Sequence, residues 1–286
     1  CLLELLGSAI LDLPGEESVT HWREWREAPA ADYAVVGDPV SHSWSPKMHQ
    51  AAYAALGLDL KYEAIRIPEA DFVTAMEHLA ELGYQGVNCT VPLKEAAATW
   101  CEEIDELSSV MGSINTVAFL DRRGTNTDAP AFLNTLRDLG VGADVSTLVL
   151  GGGGTARSLL RVLYQENRRV AAWNRTPAKL TMIREELALE FEIQEQIDVA
   201  EFGLIVNATS AGLLGSDIPV DWTRAQSGAV AYDVMYGQPS AFLDSAATHS
   251  LRTVDGLPLL VEQGALSFEW WLGKEAPRAD MLKAVR

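Results

Sequence analysis

The chain has 286 residues, of which 48% are hydrophobic and 22% charged, values typical of a folded, water-soluble protein of about two domains. Its 40 acidic and 22 basic residues give a net charge of −18, which argues against nucleic acid or an anionic membrane surface as the main partner. The cysteines at positions 1, 89 and 101 show no paired spacing, and this favours a reducing, cytoplasmic location.

Residues 1–30 are predicted to form an N-terminal extension. The stretch CLLELLGSAILDLPGEE is apolar, but Glu4 and Asp12 interrupt it, and it is too short to span a bilayer. We expect a short amphipathic helix or a disordered segment here.

The first half of the chain alternates strand and helix patterns. YAVVGDP predicts a strand, and Ser45 as N-cap with Pro46 after it predicts a helix that stops at Gly57. KYEAIRI predicts the next strand, residues 70–82 the next helix, and GVNCTV a third strand. This βαβαβ order predicts a parallel sheet flanked by helices.

A second strand and helix series begins at STLVLGGGG. It predicts helices over 155–166 and 177–189, strands at RVAAWN, LIVNAT and AVAYDV, and a last helix over 257–272. The segment NTDAPAFLNTLRDLG predicts a connecting helix between the two series. The fold class is therefore α/β, with an N-terminal domain built on a mainly parallel sheet and a Rossmann-type second domain.

The glycine-rich segment points to a dinucleotide. Gly151, Gly153 and Ala156 fit the G-x-G-x-x-G/A fingerprint, in which a tight turn brings backbone amides against a pyrophosphate. A plain glycine-rich loop is the alternative interpretation. The strand before the turn and the helix after it favour the cofactor site.

The segment WNRTPAK, after the next predicted strand, indicates which dinucleotide binds. An NAD site usually carries an acid here, whereas this chain has Arg175, which can bind a 2′-phosphate. Asn174 and Thr176 add neutral donors, Lys179 adds a second cation, and Thr176 can also cap the following helix. We therefore predict NADP as the cofactor.

Four polar clusters end strands or begin helices outside the predicted Rossmann domain: SHSWSP, VNCTVPLK, GSINTV and GTNTDAP. Each has an ordinary structural explanation as a cap, a turn or a solvated charge. Together, and ahead of a dinucleotide fold, they predict a substrate pocket that faces the cofactor. No cluster has the spacing of metal ligands, so we expect no metal and a small-molecule substrate.

The sequence resembles the shikimate dehydrogenase family from residue 33 to about residue 273. The resemblance rests on SHSWSP, VNCTVPLK, GSINT, NTD, GGGGTAR, NRT, NATSAGL, YDVMY and DGLPLLVEQGA. It implies a substrate-binding domain over 31–130 plus 257–286, an NADP-binding domain over 131–256, and reversible reduction of 3-dehydroshikimate to shikimate by NADPH. We expect a monomer or homodimer.

The resemblance also implies the roles of individual residues. Lys94 and Asp128 are the implied catalytic pair. The implied substrate-binding residues are Ser43, Ser45, Asn88, Thr90, Asn115, Tyr236 and Gln263. The implied cofactor-binding residues are Gly151, Gly153, Gly154, Thr155, Ala156, Asn174, Arg175, Thr176, Lys179, Thr209, Gly256 and Leu259.

These residue types suit the chemistry. Serine hydroxyls at a helix N-terminus can bind a carboxylate, and amides and hydroxyls can pair with ring hydroxyls. A lysine can stabilise the negative charge that forms on a carbonyl oxygen and can supply the proton. The sequence leaves open whether Lys94 donates that proton or acts mainly as an electrostatic anchor.

The chain departs from the family pattern in three segments. Ala129 and Pro130 follow NTD where glycine is common, Leu259 stands where methionine is frequent, and Gly152 replaces the usual alanine. We expect little effect, because proline is tolerated in a first helical turn and leucine is close to methionine in bulk.

Other functions remain open at this stage. A quinate/shikimate or aminoshikimate dehydrogenase would differ only in the pocket, and a non-catalytic NADP-binding relative would be expected to lack Lys94 or Asp128. A tetrahydrofolate dehydrogenase fits the two-domain shape alone.

Overall fold

The computed structural model describes residues 21–209 and 218–286. Within those residues it contains two β-sheets, one of seven strands and one of six. The helix predicted near the start of the N-terminal extension and the end of the NATSAGL motif lie outside the described residues. No helix in the described part of the chain is long and apolar enough to cross a membrane.

The first sheet is mixed, with strand order β1-β3-β2-β4-β6-β7-β5. Its strands are β1 Trp22–Glu24, β2 Tyr33–Gly37, β3 Tyr62–Arg66, β4 Gly86–Cys89, β5 Glu103–Ile104, β6 Thr116–Ala118 and β7 Arg123–Thr125. β6 runs antiparallel to both β4 and β7, and the other pairs are parallel. The predicted parallel β2, β3 and β4 are confirmed, whereas the hairpin of β6 and β7 was not predicted.

The end of the predicted N-terminal extension is part of this sheet. β1 pairs in parallel with β3, so residues 22–24 are neither helical nor disordered. Trp25, directly after β1, is buried, and its indole nitrogen donates a hydrogen bond to Asp71 at 3.1 Å. This buried aromatic anchor explains why the segment is ordered.

The second sheet is parallel throughout, with strand order β10-β9-β8-β11-β12-β13. Its strands are β8 Thr147–Leu150, β9 Val170–Trp173, β10 Glu192–Gln194, β11 Leu204–Asn207, β12 Val230–Asp233 and β13 Arg252–Val254. Counted from β8, this is the 3-2-1-4-5-6 order of a Rossmann domain. The predicted fold class is confirmed.

Helices cover both faces of each sheet. They are α1 Ser45–Ala55, α2 Phe72–Glu81, α3 Lys94–Trp100, α4 Glu106–Met111, α5 Asp128–Asp138, α6 Gly154–Gln165, α7 Pro177–Glu186, α8 Ala241–Thr248, α9 Leu257–Leu272 and α10 Arg278–Ala284. In β2, Ala34 and Val36 enter one apolar cluster, and Tyr33 and Val35 enter another. This alternation is typical of strands buried on both faces.

The predicted N-cap of α1 is wrong, and that of α7 is confirmed in position only. Trp44, not Ser45, is the N-cap residue of α1, and the hydroxyl of Ser43 accepts a hydrogen bond from the Ser45 amide at 3.3 Å. Ser43 therefore provides the hydroxyl predicted from Ser45, since Ser45 is already helical. Thr176 is the N-cap residue of α7, but its side chain makes no capping hydrogen bond.

Helices α5 and α9 pack against each other between the two sheets. Phe132 and Leu136 of α5 belong to the core beneath the second sheet, whereas Ala265 and Phe268 of α9 belong to the core of the first. The C-terminal helices thus return to the first sheet. This supports the predicted domains at 31–130 plus 257–286 and at 131–256, which stay a prediction.

Candidate active site

A cavity of about 650 Å³ lies between the two sheets, lined by segments that follow β2, β4 and β12 and by the start of α6. It brings together all nine residues predicted to be catalytic or to bind substrate: Ser43, Ser45, Asn88, Thr90, Lys94, Asn115, Asp128, Tyr236 and Gln263. Three predicted cofactor residues, Thr155, Gly256 and Leu259, also line it. The other nine cofactor residues lie outside this cavity.

Lys94 and Asp128 form an ion pair in the cavity wall. The Nζ atom of Lys94 lies 2.6 Å from Oδ2 of Asp128, and the two side chains are 27% and 23% exposed. Each residue begins a helix, α3 and α5 respectively, directly after the turn that ends a strand region. A cation and a carboxylate are therefore held together where a small molecule in the cavity can reach both.

Asn115 fixes the other oxygen of this carboxylate. Its Nδ2 atom donates to Oδ1 of Asp128 at 3.0 Å and to the hydroxyl of Thr127 at 2.9 Å. Its Oδ1 atom accepts from the Thr127 amide at 2.8 Å. Both ends of the amide are thus engaged, and Asp128 is held between a lysine and an amide.

Asn88 is more completely engaged than the sequence suggested. Its Oδ1 accepts from the Tyr62 hydroxyl at 2.6 Å, and its Nδ2 lies 3.1 Å from both the Asn115 carbonyl and the Thr116 hydroxyl and 2.9 Å from the Ser267 hydroxyl. The Asn88 side chain lines the cavity, yet most of its hydrogen bonds are made to other groups of the protein. Buried amides hold one orientation when such a network is satisfied.

At the serine end of the cavity, Trp44 lies beside Tyr236 and Gly237 from the second half of the chain. The Tyr236 ring lies 5.4 Å from the Trp44 ring, and a Cβ atom at Gly237 would lie 2.6 Å from the same indole. Gly237 has φ +76°, so glycine is required there for both backbone and space. Burial raises the pKa of Tyr236, and a backbone hydrogen bond from Trp44 opposes that shift.

The glycine turn has the geometry that a pyrophosphate needs. Gly151 has φ +134°, and a Cβ atom there would lie 2.7 Å from the Ala208 carbonyl oxygen. By contrast, Cβ atoms at Gly153 and Gly154 would meet no atom within 4 Å, so the backbone at the start of α6 is open to a ligand. Exposed amides at a helix N-terminus suit a phosphate anion.

The predicted 2′-phosphate residues lie beside this turn. A Cβ atom at Gly152 would be 3.0 Å from the Asn174 side chain and 3.3 Å from that of Lys179. Arg175 and Lys179 are exposed, and neither forms an ion pair with any residue in the described ranges. The donor set therefore fits a phosphate dianion next to the glycine turn. Thr209 lies on the other side, where its amide and hydroxyl donate to Asn207.

Three residues of the cavity wall and its supporting network were not predicted from the sequence: Trp44, Tyr62 and Ser267. Thr116 and Thr127 belong to the predicted polar clusters GSINTV and GTNTDAP, but no individual role was predicted for them. Ser267 was detectable in principle, because it is a polar residue on the buried face of α9, one turn after Gln263. The described residues hold no group of three or more histidines, cysteines or acids that could bind a metal ion.

Comparison with known proteins agrees with this geometry. A family model for the shikimate dehydrogenase substrate binding domain matches residues 35–117, and one for the shikimate 5′-dehydrogenase C-terminal domain matches residues 256–286. A shikimate dehydrogenase (NADP(+)) of Methanothrix thermoacetophila is 36% identical over 263 residues, which cover 89% of this chain and 96% of that protein. The Bacillus subtilis protein of the same name is 33% identical over 88% of this chain and 95% of its own length.

A solved structure gives the same result. Shikimate 5-dehydrogenase of Thermus thermophilus, in complex with NADP(H) and shikimate, has a TM-score of 0.82 and 34% identity. The alignment covers 90% of this chain and 98% of that chain. Identity and coverage at this level show that the chain belongs to the shikimate dehydrogenase family.

Proposed function

We propose that this chain catalyses the reversible, NADPH-dependent reduction of 3-dehydroshikimate to shikimate. The observation that carries the proposal is the ion pair of Lys94 and Asp128, 2.6 Å apart in the wall of a cavity that both halves of the chain line. Relatives named for this activity match nearly the whole chain, and we infer the substrate from them.

Lys94 and Asp128 divide the chemical work. NADPH, when bound, supplies the hydride. The ammonium group of Lys94 stabilises the negative charge that grows on the carbonyl oxygen, and its Nζ atom is placed to donate a proton there. Asp128 holds that ammonium group in place and accepts a hydrogen bond from a neighbouring substrate hydroxyl.

The remaining wall residues bind and orient the substrate. Ser43 and Ser45 offer hydroxyls to the substrate carboxylate at the N-terminus of α1, where the helix dipole favours an anion. Thr90 and Gln263 face the ring hydroxyls. Asn88 contributes the edge of its amide that lines the cavity, with less free hydrogen-bonding capacity than a solvent-facing amide.

The cofactor is NADP, bound by residues on the second sheet. Backbone amides of Gly153, Gly154 and Thr155 bind the pyrophosphate, and the turn itself depends on Gly151. Arg175 and Lys179 bind the 2′-phosphate, with Asn174 and Thr176 as further donors. Ala156, Thr209, Gly256 and Leu259 complete the proposed cofactor set around the turn and the start of α9.

Location and assembly belong to the same proposal. The free thiols of Cys89 and Cys101 suit a reducing compartment, which supports a cytoplasmic location. We propose a monomer or homodimer, because every residue of the proposed site belongs to one chain.

A matrix of initial rates tests the activity. Shikimate and quinate are each oxidised with NADP+ and with NAD+, and the highest kcat/KM is expected for shikimate with NADP+. A site that hydrogen-bonds a substrate discriminates strongly against analogues that leave its polar groups unpaired. Activity confined to quinate with NAD+ would contradict the proposal, and absence of turnover with either acid would favour a non-catalytic relative.

A further inference from the structure

Ser267 contacts several residues that support the substrate side of the cavity. It lies on α9, its side chain is fully buried, and its hydroxyl donates to the Gln263 carbonyl oxygen at 2.9 Å. The Oγ atom of Ser267 lies 2.9 Å from Nδ2 of Asn88, 2.8 Å from the Thr116 hydroxyl and 3.1 Å from the Thr127 hydroxyl. The Ser267 oxygen on α9 thus contacts β4, β6 and the turn before α5.

Part of the proton arrangement in this cluster is fixed. The Asn88 amide donates to the Ser267 oxygen and the Ser267 hydroxyl bonds the Gln263 carbonyl, whereas in the contacts of Ser267 with Thr116 and Thr127 either hydroxyl can be the donor. A reversed Asn88 amide would place its carbonyl oxygen against the Ser267 and Asn115 oxygens, and its NH₂ group against the Tyr62 hydroxyl. The Asn115 carbonyl, which can only accept, and the Ser267 oxygen therefore together favour the observed orientation.

The cluster extends to the catalytic carboxylate through Asn115. The hydroxyls of Thr116 and Thr127 lie 3.1 and 3.2 Å from Oδ1 of Asn115, whose Nδ2 donates to Asp128 at 3.0 Å. Asp128 in turn holds Lys94 at 2.6 Å. The hydrogen bonds of Ser267 go to other residues of the network, so its effect on Lys94 and Asp128 passes through that network.

We propose that Ser267 is a positioning residue for the reaction, which fixes the Asn88 and Asn115 amides and through Asn115 the carboxylate of Asp128. The inference rests on the proposed function. Its physical basis is that removing the Ser267 oxygen takes one partner away from Asn88, Thr116 and Thr127, whose remaining hydrogen bonds then rearrange. The amide next to Asp128 is the neighbour whose rotation changes the active site.

The test compares two buried hydroxyls. Ser267→Ala removes the hydroxyl that contacts Asn88, Thr116 and Thr127. Thr135→Val is the control: it removes a buried hydroxyl on α5 that lies outside this network and donates to the Phe132 carbonyl oxygen at 2.7 Å. The measurements are kcat and KM for shikimate oxidation with NADP+, and the Kd of NADPH. We expect Ser267→Ala to lower kcat about tenfold, as small misplacement of catalytic groups does, with an unchanged NADPH Kd.

Thr135→Val is expected to change the melting temperature but to leave kcat and KM within about twofold of the wild type. Equal kcat values for folded Ser267→Ala and wild type would overturn the inference, as would an equal loss in both variants. If Ser267→Ala does not fold, Ser267→Cys, which keeps the size but accepts hydrogen bonds weakly, is measured instead. Wild-type kinetics in that variant would also overturn it. No wild-type turnover of shikimate would contradict the proposed function rather than the role of Ser267.

Discussion

The two walls of the cleft are built differently. On the substrate side, Asn88 and Asn115 are buried and bonded to the protein through both ends of their amides. On the cofactor side, Arg175 and Lys179 are exposed and pair with no acid among the described residues, and the backbone at Gly153 and Gly154 faces open space. The two asparagines of the first wall are held in place without a ligand, while the second wall presents groups that a ligand would pair.

The difference follows from what each wall recognises. To distinguish the configurations of the hydroxyl groups on a ring substrate, a site needs donors and acceptors with fixed orientations. A buried hydrogen-bond network fixes those orientations. A phosphate needs only positive charge and amide donors, which exposed cations and a helix terminus supply. Substitutions on the substrate side should therefore lower kcat, and those on the cofactor side should change cofactor affinity.

The largest effect is expected for Lys94→Ala. Removing the ammonium group takes away both charge stabilisation and the proton donor, so kcat should fall by about 10²–10⁴-fold. The Kd of NADPH, measured by fluorescence titration, should stay near the wild-type value. Lys47→Ala, which removes an exposed lysine from the first turns of α1, is the matched control and should leave kcat unchanged. A kcat for Lys94→Ala close to that of wild type would remove this lysine from the mechanism.

Arg175→Ala should separate the two cofactors. Loss of a charge-assisted bond to the 2′-phosphate should raise the KM for NADP+ about 10–100-fold, and the KM for NAD+ should change little. Steady-state kinetics with both cofactors at saturating shikimate measures this. Similar changes for both would show that Arg175 does not read the 2′-phosphate.

Alanine substitutions at Gly151 and Gly153 should affect different properties, stability at Gly151 and cofactor binding at Gly153. Gly151→Ala forces a side chain into φ +134° and against the Ala208 carbonyl, so it should lower the free energy of unfolding by about 1–3 kcal/mol. Gly153→Ala meets no atom of the protein and should leave stability within about 0.5 kcal/mol, while weakening NADP+ binding. Urea unfolding and cofactor titration distinguish the two. Equal stability losses would contradict the assignment.

The smallest expected effect concerns a buried histidine behind the substrate wall. His49 is fully buried, stacks on Tyr62 at 4.2 Å, and neither ring nitrogen has a hydrogen-bond partner among the described residues. Burial lowers its pKa from 6.5 to about 3. Below pH 6.5 the unfolded chain therefore binds a proton that the folded chain excludes, so stability falls as the pH decreases from 6.5 toward 3.

His49→Phe should remove this part of the acid sensitivity. Between about pH 7 and pH 5 the free energy of unfolding should decrease by about 2 kcal/mol less than in the wild type. The exposed His249→Asn variant is the control and should follow the wild-type curve. Parallel curves for wild type and His49→Phe would mean that His49 is accessible to protons in the folded state.

The sequence was sufficient for the features that local patterns encode. The glycine turn and the bounds of α9 follow from spacing and caps, and the pairing of Lys94 with Asp128 follows from the family resemblance. It was not sufficient for β1, whose pairing with β3 depends on contacts far along the chain. Likewise, the contact of Ser267 with Asn88 joins residues 179 positions apart, and no periodicity in either segment indicates it.

The N-cap of α1 shows a finer limit. SHSWSP has serines at positions 43 and 45, yet the N-cap residue is Trp44, and Ser43 accepts a hydrogen bond from the Ser45 amide. The Trp44 indole packs near Tyr236 and Gly237. The local serine pattern does not indicate that distant contact, and helix ends are the least certain part of a sequence-based prediction.

A crystal structure of the chain with shikimate and NADP+ is the most direct test of the proposed site. We predict that Lys94 and Asp128 both lie within about 3 Å of substrate hydroxyl oxygens on the side facing the nicotinamide. We also predict that the Asn88 and Asn115 amides keep the orientations described above, while Arg175 moves onto the 2′-phosphate. Shikimate bound away from Lys94, or rotated amides at Asn88 and Asn115, would contradict a catalytic pair and two amides that are held in place before the ligand binds.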